Sequence, residues 1–528
     1  MSTIFRNTRA GFGGAVIALL FWFGGERILA YPVIEPGFPV QAWHGGGSYH
    51  GGPAIHTLVA EIDGDPELEI IVTGLSTGPL YAWNHDGTIV AGWPVSTSSG
   101  AGYMAAGYLT NPGAARGNIL EIFSGHWGTP GALIALASDG TTLPGWPQNS
   151  ANFVSTPPAL ADIDGDGLDE IFIGEEDWDL HAYHADGSVV TGWPADGGVG
   201  QEMHTPAVAD LDGDGDLEIL SVSGSTSAGV TLHVYHHDGS TVAGFPFVFD
   251  NGHVDTFPVV GDVDGDGEPE IVVVSRMDSY PWSVMVYVLS AAGNVDCIMT
   301  ASDTVPYGTA PALGDLDGDG MPEIVVQIEG AIAAWNGDGT AVPGWPVTWT
   351  GYDWLGNSSP VIGDIDGDNE PEIVVTAQVG GSGTNGQVRA YNADGSLVTG
   401  FPINLPIGSG AVPAIADIDR DGRNEVIVTG SYWDGYSGNY DKVWAYDLGN
   451  GPHGRIEWGQ FGGGPRNQNV YQPECVGDLD GDGDVDLSDL AELLAHYNNG
   501  PGGDLDHDGD TDLADLALLL SRYGDVCW

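Results

Sequence analysis

The residues best suited to chemistry are carboxylates at alternating positions. The nine residues from Asp162 to Glu170 read D-I-D-G-D-G-L-D-E. Asp162, Asp164 and Asp166 stand at positions 1, 3 and 5 of a loop, and the backbone carbonyl of Leu168 and the carboxylate of Glu170 supply positions 7 and 9. Hard oxygen ligands at this spacing, with glycine permitting the sharp turn, are what calcium requires. An EF-hand loop is longer, ending at position 12 and leading into a helix. This loop closes at position 9 and runs straight into a strand-like segment. The competing reading is a solvated acidic turn without metal, but four carboxylates gathered without compensation are costly.

The loop recurs. Its first acidic residue falls at Glu61, Asp162, Asp210, Asp262, Asp315, Asp364 and Asp417, with successive gaps of 101, 48, 52, 53, 49 and 53 residues. The double gap implies a degenerate unit at about 95–147 that has lost its acidic loop. A second phrase, G-W-P or G-F-P, ends at Pro39, Pro94, Pro147, Pro194, Pro246, Pro346 and Pro402. The unit near 297 lacks it, and the last unit ends instead in E-W-G around Trp458. Both phrases count eight units of about fifty residues, a period that belongs to propellers and arrays.

Each unit holds about four short strands. P-A-I-A enters the acidic loop and E-I-V-V-T leaves it. An alternating run such as V-R-A-Y follows, then N-A-D-G or H-A-D-G as a hairpin turn, then S-L-V-T-G-F-P. No segment before residue 486 has a helical period. The pattern predicts an all-β fold, a calcium-binding β-propeller of about eight four-stranded blades. The isolated G-F-P at 37–39 predicts that the N-terminus completes the final blade and removes exposed sheet edges. The repeated Trp93, Trp146, Trp193 and Trp345 are expected to pack the blades. The irregular Trp127, Trp178, Trp282, Trp354, Trp433 and Tyr436 are better placed to touch a ligand.

The units resemble the FG-GAP/VCBS repeats of the integrin alpha-subunit head and of many bacterial surface proteins, over roughly residues 31–470. The resemblance implies calcium-braced blades whose opposite or central face contacts a ligand. Integrin heads have seven blades, so seven is the alternative count. Carried over by position, the calcium ligands beyond the first set are Asp210, Asp212, Asp214 and Glu218, then Asp262, Asp264, Asp266 and Glu270. They continue with Asp315, Asp317, Asp319 and Glu323, then Asp364, Asp366, Asp368 and Glu372, and finally Asp417, Asp419, Asp421 and Glu425. The first unit offers Asp63, Asp65 and Glu69, but has Glu61 at position 1 and Pro66 for the usual glycine. Arg420 in the last loop is also unusual.

A polar, Gly-rich stretch, 459–474, precedes a change of period. Two twelve-residue loops follow, with Asp478, Asp480, Asp482 and Asp489 in one and Asp504, Asp506, Asp508 and Asp515 in the other. Leu490, Leu493 and Leu494, then Leu516, Leu519 and Leu520, have the spacing of an apolar helix face. This segment, 471–528, resembles a type I dockerin, a small α-helical module of paired EF-hand loops. The resemblance implies more bound calcium and a cohesin-like partner. The recognition positions, often hydroxyl pairs in dockerins, are here Leu487–Ser488 and Leu513–Ala514.

Residues 1–30 read as an export signal, with Arg6 and Arg9 before an apolar run from Ala15 to Phe23 and Ala30 at the cleavage point. Cleavage leaves no membrane-inserted segment, since no later run is long enough to span. Cys475 and Cys527 bracket the last module as an exported protein's disulfide would, leaving Cys297 over. With 12 Lys and Arg against 74 Asp and Glu the net charge is −62, which repels nucleic acid and anionic lipid. Acidic disorder is excluded because 42% of residues are hydrophobic. The expected setting is extracellular or at the cell surface, in cell adhesion or polysaccharide binding, with a protein or polysaccharide as ligand.

The alternative function is polysaccharide catabolism by a lyase or glycoside hydrolase on a calcium propeller. No phosphate loop or H-E-x-x-H occurs. A lyase needs a basic residue to take a proton or offset uronate charge. After signal removal only Arg116, Arg276, Arg389, Arg420, Arg423, Lys442, Arg455, Arg466 and Arg522 remain. They form no cluster in sequence.

Overall fold

The computed structural model describes residues 32–471 apart from 44–56, 66, 74–78, 97–99, 111–120, 128–130, 151–155, 176–178, 197–201, 204, 226–228, 250–255, 277–282, 302–308, 329, 350–357, 380–384, 407–410, 434–438 and 449–453. It then describes 485, 487–497, 505, 511 and 513–523. Apolar β-branched runs punctuated by Asp-Gly turns give short antiparallel strands. Around residue 162, Ala159–Ala161 pairs with Glu170–Gly174, which pairs with Asp179–Tyr183, which pairs with Ala195–Asp196.

Pairing of this kind yields eight sheets. Their innermost strands are Thr57–Ala60, Gly100–Gly107, Ala159–Ala161, Ala207–Ala209, Val259–Gly261, Ala312–Gly314, Val361–Gly363 and Ala414–Ala416. Each lies against the next, and the last returns to the first. The architecture is an all-β propeller. The degenerate unit forms its own four-stranded sheet, from Gly100–Gly107 to Gln148–Ser150. Val33–Ile34 and Val40–Trp43 pair with Asn439–Asp447 of the final sheet, so the N-terminus does complete that blade.

The core lies between neighbouring sheets. Phe172, Leu180 and Trp193 of one sheet pack with Val208, Ile219 and Tyr235 of the next. The two repeated phrases interlock at these seams. Gly145 has φ +90°, and a Cβ there would stand 1.9 Å from the carbonyl oxygen of Asp186, in the Asp-Gly turn of the following sheet. Only glycine allows that approach. The tryptophan beside it is buried, and its indole N–H donates across the same seam. Trp93 reaches Ser138 O at 2.8 Å, Trp146 Ala185 O at 2.8 Å, Trp193 His237 O at 3.1 Å and Trp345 Ala393 O at 2.7 Å. The repeated tryptophans are therefore packing residues, as their recurrence predicts.

The C-terminal end of the propeller departs from the expectation. Ile456–Trp458 is not the outer strand of the last unit. It pairs with the innermost strand Val361–Gly363, and the Gly-rich stretch after it, to Tyr471, runs through the centre of the ring. Each innermost strand gives this thread an amide. Val59 N–H donates to Gln460 Oε1 at 2.9 Å, Ala106 to Pro465 O at 2.8 Å, Leu160 to Arg466 O at 2.9 Å, Val208 to Gln468 O at 2.9 Å and Val260 to Asn469 O at 2.9 Å. Ile415 donates to Gly459 O at 2.7 Å. Asp315 and Asp364, one residue past their strands, donate to Glu457 Oε2 at 3.4 Å and Arg455 O at 3.2 Å. Glycine is dense here because the chain turns in a tight space, with Gly462 and Gly463 at φ +72° and +84°.

Among the described residues the two helices follow residue 486: α1, Leu487–His496, and α2, Leu513–Arg522. They pack on each other through Leu493 and Leu519, with Val485 buried beside them and Leu490 and Leu516 half-buried.

A hydrogen bond is worth about 1 kcal/mol net, and a domain's whole stability is about 5–15 kcal/mol. The thread is therefore structural. A chain ending at residue 471 is expected to melt cooperatively, close to the full chain in millimolar calcium. One ending at 453 is expected to lose that transition in calorimetry, and an equal melting temperature for both would refute the role given to the thread.

Candidate metal centres

Every complete acidic loop bridges an innermost strand and the second strand of its sheet. The register is the same each time, with the residue before position 1 opposite the position-9 glutamate: Ala161 faces Glu170, Ala209 Glu218, Gly261 Glu270, Gly314 Glu323, Gly363 Glu372 and Ala416 Glu425. This register makes position 9 the first residue of a buried strand. Glu69, Glu170, Glu218, Glu270, Glu323, Glu372 and Glu425 are all 3% exposed or less.

The loop is wound on its own carboxylates. Asp162 accepts from Gly165 N at 2.8 Å through Oδ1 and from Gly167 N at 2.8 Å through Oδ2. Asp164 accepts from Asp166 N and Asp166 from Leu168 N. Glu170 Oε2 accepts from Ile163 N at 3.1 Å. The same bond from position 2 recurs at Glu69, Glu218, Glu270, Glu323, Glu372 and Glu425. One glutamate oxygen is thus spent on the fold, and the other faces the aspartates.

These contacts gather the predicted residues. Ligand-capable oxygens of Asp162, Asp164 and Asp166 lie within 4.8 Å of one another, as do those of Asp262, Asp264 and Asp266. So do those of Asp210, Asp212 and Glu218, and of Glu61, Asp63 and Glu69. Asp315 and Asp364 at position 1 are buried, and Asp317, Asp319, Asp366, Asp368, Asp417, Asp419 and Asp421 occupy the same turn positions. Asp65 receives Glu67 N.

Whether a cation fits can be judged from the polar atoms. Glu69 Oε1 and Glu372 Oε1 are buried with no hydrogen-bond partner, and so is Glu61 Oε2. Orphaned carboxylate oxygens inside an acidic cluster are costly unless a positive charge meets them. The donor set, all hard oxygens, suits calcium. Burial, with the neighbouring aspartates adding to it, pushes Glu69 and Glu270 up to about 8, Glu323 to about 7, and Glu372 and Glu425 to about 9. Burial also raises Glu170 and Glu218, where a histidine bond opposes it.

Those histidines are His184 and His236, neither of which the spacing of the acidic loops marks. His184 Nδ1 lies 2.9 Å from Glu170 Oε1, and His236 Nδ1 lies 3.0 Å from Glu218 Oε1. The available signal was their place two residues before the Asp-Gly turn, where other units carry Asn84, Asn336 and Asn392. Among the described residues, three arginines are held in separate ion pairs. Arg423 pairs with Asp421 and Asp447, Arg455 with Asp315 and Glu457, and Arg466 with Asp169 at 3.1 Å while lying over the Tyr108 ring. The thread leaves a central cavity of about 340 Å³, lined by Tyr108, Glu457, Gly462, Arg466 and Gln468 among others.

In the C-terminal segment Asp489 and Asp515 are fully buried. Leu505 N donates to Asp515 Oδ1 at 2.7 Å, the same lock from position 2 onto the closing carboxylate that the blade loops use. Asp478, Asp480, Asp482, Asp504, Asp506, Asp508, Cys475, Cys527 and residues 1–30 lie outside the described residues, as do Trp178, Trp282, Trp354 and Tyr436.

Comparison with known proteins agrees on the repeat. Residues 162–221 and 262–326 match the FG-GAP-like repeat family. No curated protein matches the chain. Among solved structures the chain is similar to the V. cholerae biofilm matrix protein Bap1, at 16% identity over 82% of this chain and 94% of that one, TM-score 0.42. It is also similar to the Dos1 propeller, at 11% identity over 80% and 97%, TM-score 0.49. A europium-containing methanol dehydrogenase is similar at 12% identity over 78% and 93%, TM-score 0.45. At these scores none of them lends an activity to this chain.

The glutamate shifts set a pH dependence. A carboxyl raised on folding contributes most stability below its ordinary range, and that contribution is lost as pH rises through the folded value. The chelated protein is therefore expected to melt at progressively lower temperature from pH 5 to pH 8, and millimolar calcium is expected to suppress that fall. A chelated melting temperature that does not change between pH 5 and pH 8 would contradict the burial of these groups.

Proposed function

We propose that this chain is an exported, calcium-loaded propeller of eight blades that binds an extracellular protein or polysaccharide, and that its paired C-terminal loops tether it to a cohesin-like partner. The observation that carries the reading is the repeated buried glutamate, with an oxygen turned into an aspartate cluster and, at Glu69 and Glu372, left without a partner. A fold that builds this feature into blade after blade favours a resident divalent cation over catalysis, which needs one asymmetric site. Calcium would supply the positive charge that the loops lack. The acidic residues supply the ligands, and the strand register holds them in place.

The tether is supported by the surface of the two helices. Leu487 and Leu513 open α1 and α2 at 66% and 67% exposure, and Leu494 and Leu520, one heptad on, are also exposed. Both helices therefore present the same apolar pair, Leu487 and Leu513 being the positions the dockerin resemblance marks for recognition. A partner that covers them removes that surface from water. The lyase reading draws no support from Arg423, Arg455 or Arg466, which are held in ion pairs.

Two measurements test this. Glycan and surface-protein arrays probed with the signal-free chain, in calcium and in EDTA, are expected to show a ligand retained only in calcium. Release of unsaturated sugars from a bound polysaccharide would replace this reading with the lyase. For the tether, a cohesin panel is expected to bind the chain and to lose Leu487→Asp/Leu513→Asp by at least about 10-fold, since each buried leucine is worth about 1.5–3 kcal/mol. Equal binding of the double variant would remove these residues from the interface.

A further inference from the structure

Two of the blade loops contain a nitrogen that their sister loops lack. In the units of Glu69, Glu323 and Glu372, the residue two before the Asp-Gly turn is Asn84, Asn336 or Asn392. Its side-chain amide is turned away into its own hairpin, donating to Thr88, Thr340 or Ser396 at 2.7–2.8 Å. In the units of Glu170 and Glu218 the residue is His184 or His236, and the imidazole turns towards the acidic loop instead. His236 sits directly across the sheet from Glu218. His184 Nδ1 stands 2.9 Å from Glu170 Oε1 and 4.0 Å from Asp164 Oδ2, so that Asp164, Glu170 and His184 form one potential ligand triad.

The oxygen met by each imidazole is the equivalent of the one that is buried and partnerless in the sister loops, at Glu69 and Glu372. Those orphans mark where a positive charge belongs, and the histidine stands at the edge of that place. Carboxylate and carbonyl oxygens alone suit calcium, whereas an added imidazole suits zinc, nickel and similar first-row ions.

We propose that the loops at Asp162 and Asp210 are mixed nitrogen–oxygen sites that hold a first-row transition divalent ion in preference to calcium, with Nδ1 of His184 and of His236 as ligands. This rests on the reading of the blade loops as cation sites and assigns two of them to a different ion. The remaining complete loops, with no such histidine, keep calcium.

Cobalt(II) is the probe, because its visible absorption reports the ligand field. The full signal-free chain is stripped with chelator, returned to millimolar calcium, and titrated with cobalt, and bound metals are counted by mass spectrometry. Two cobalt ions per chain are expected to persist against at least 100-fold excess calcium. His184→Asn/His236→Asn, which installs the residue the sister loops use, is expected to lose both ions while keeping its calcium and its melting temperature in calcium. Displacement of cobalt by calcium from the unaltered chain, or retention of both ions by the double variant, would overturn the proposal. The calcium count reports separately on the wider reading: two retained cobalt ions without calcium elsewhere would sink that reading and leave this one standing.

Discussion

Eight strand edges face the centre of the ring, and each presents amides that its own sheet does not pair. Buried backbone donors without partners are scarcely tolerated, and water in a narrow channel would be the usual remedy. This chain uses itself. The stretch from Arg455 to Tyr471 lays carbonyls and polar side chains against all eight innermost strands, and Asn467 and Gln468 reach out with side-chain amides to further carbonyls at Met104, Pro158 and Leu160. The ring is held from outside by the N-terminal strands and from within by the C-terminal thread. Both closures fix the strand register on which the acidic loops depend.

That register is what turns an acidic phrase into a site. Four carboxylates on a flexible loop would spread apart in water. Here the position-9 glutamate begins a buried strand, and the amide of position 2 fixes one of its oxygens, so the other has nowhere to go but towards the aspartates. The loop's glycines complete the winding. At position 6 of the loop at Asp364, Asn369 takes the left-handed conformation at φ +69° and still donates its N–H to Asp364. In the first unit Glu61 is left with a bare oxygen. The same lock at Asp515 ties the closing carboxylate of a longer loop to a helix instead of a strand.

Much of this was legible because repetition amplifies it. The spacing from Asp162 to Glu170 marks the carboxylates that the loop gathers, and recurrence of the phrase identifies the propeller. G-W-P and Asp-Gly were both visible, and their docking on each other across the seam, seen at Gly145 and Asp186, gives them a common cause. The thread was not legible. It works through backbone carbonyls over separations of several hundred residues, and a Gly-rich polar stretch looks alike whether it crosses solvent or fills a channel. Trp458 therefore passed for the end of a blade, although it is buried beside an innermost strand. His184 and His236 escaped for the opposite reason: they vary a turn position that usually has no part in the site.

The thread meets the position-1 carboxylates of two neighbouring loops, and there the closure of the ring is joined to its charge. Arg455 of the thread reaches Asp315 at 2.9 Å, and Gly454 N, just before it, reaches Asp364 Oδ2 at 2.6 Å, so that these carboxylates are shared between acidic loop and thread. Glu457 is buried between Arg455 and the Tyr471 hydroxyl, which extends this network to the end of the thread. A carboxylate that accepts several donors is held in one orientation, which preorganises its loop for a cation. Conversely, a cation in either loop would fix the carboxylate that anchors the thread. Ion binding at these two blades would then stabilise more than its own sheet, because the segment it secures touches every other one.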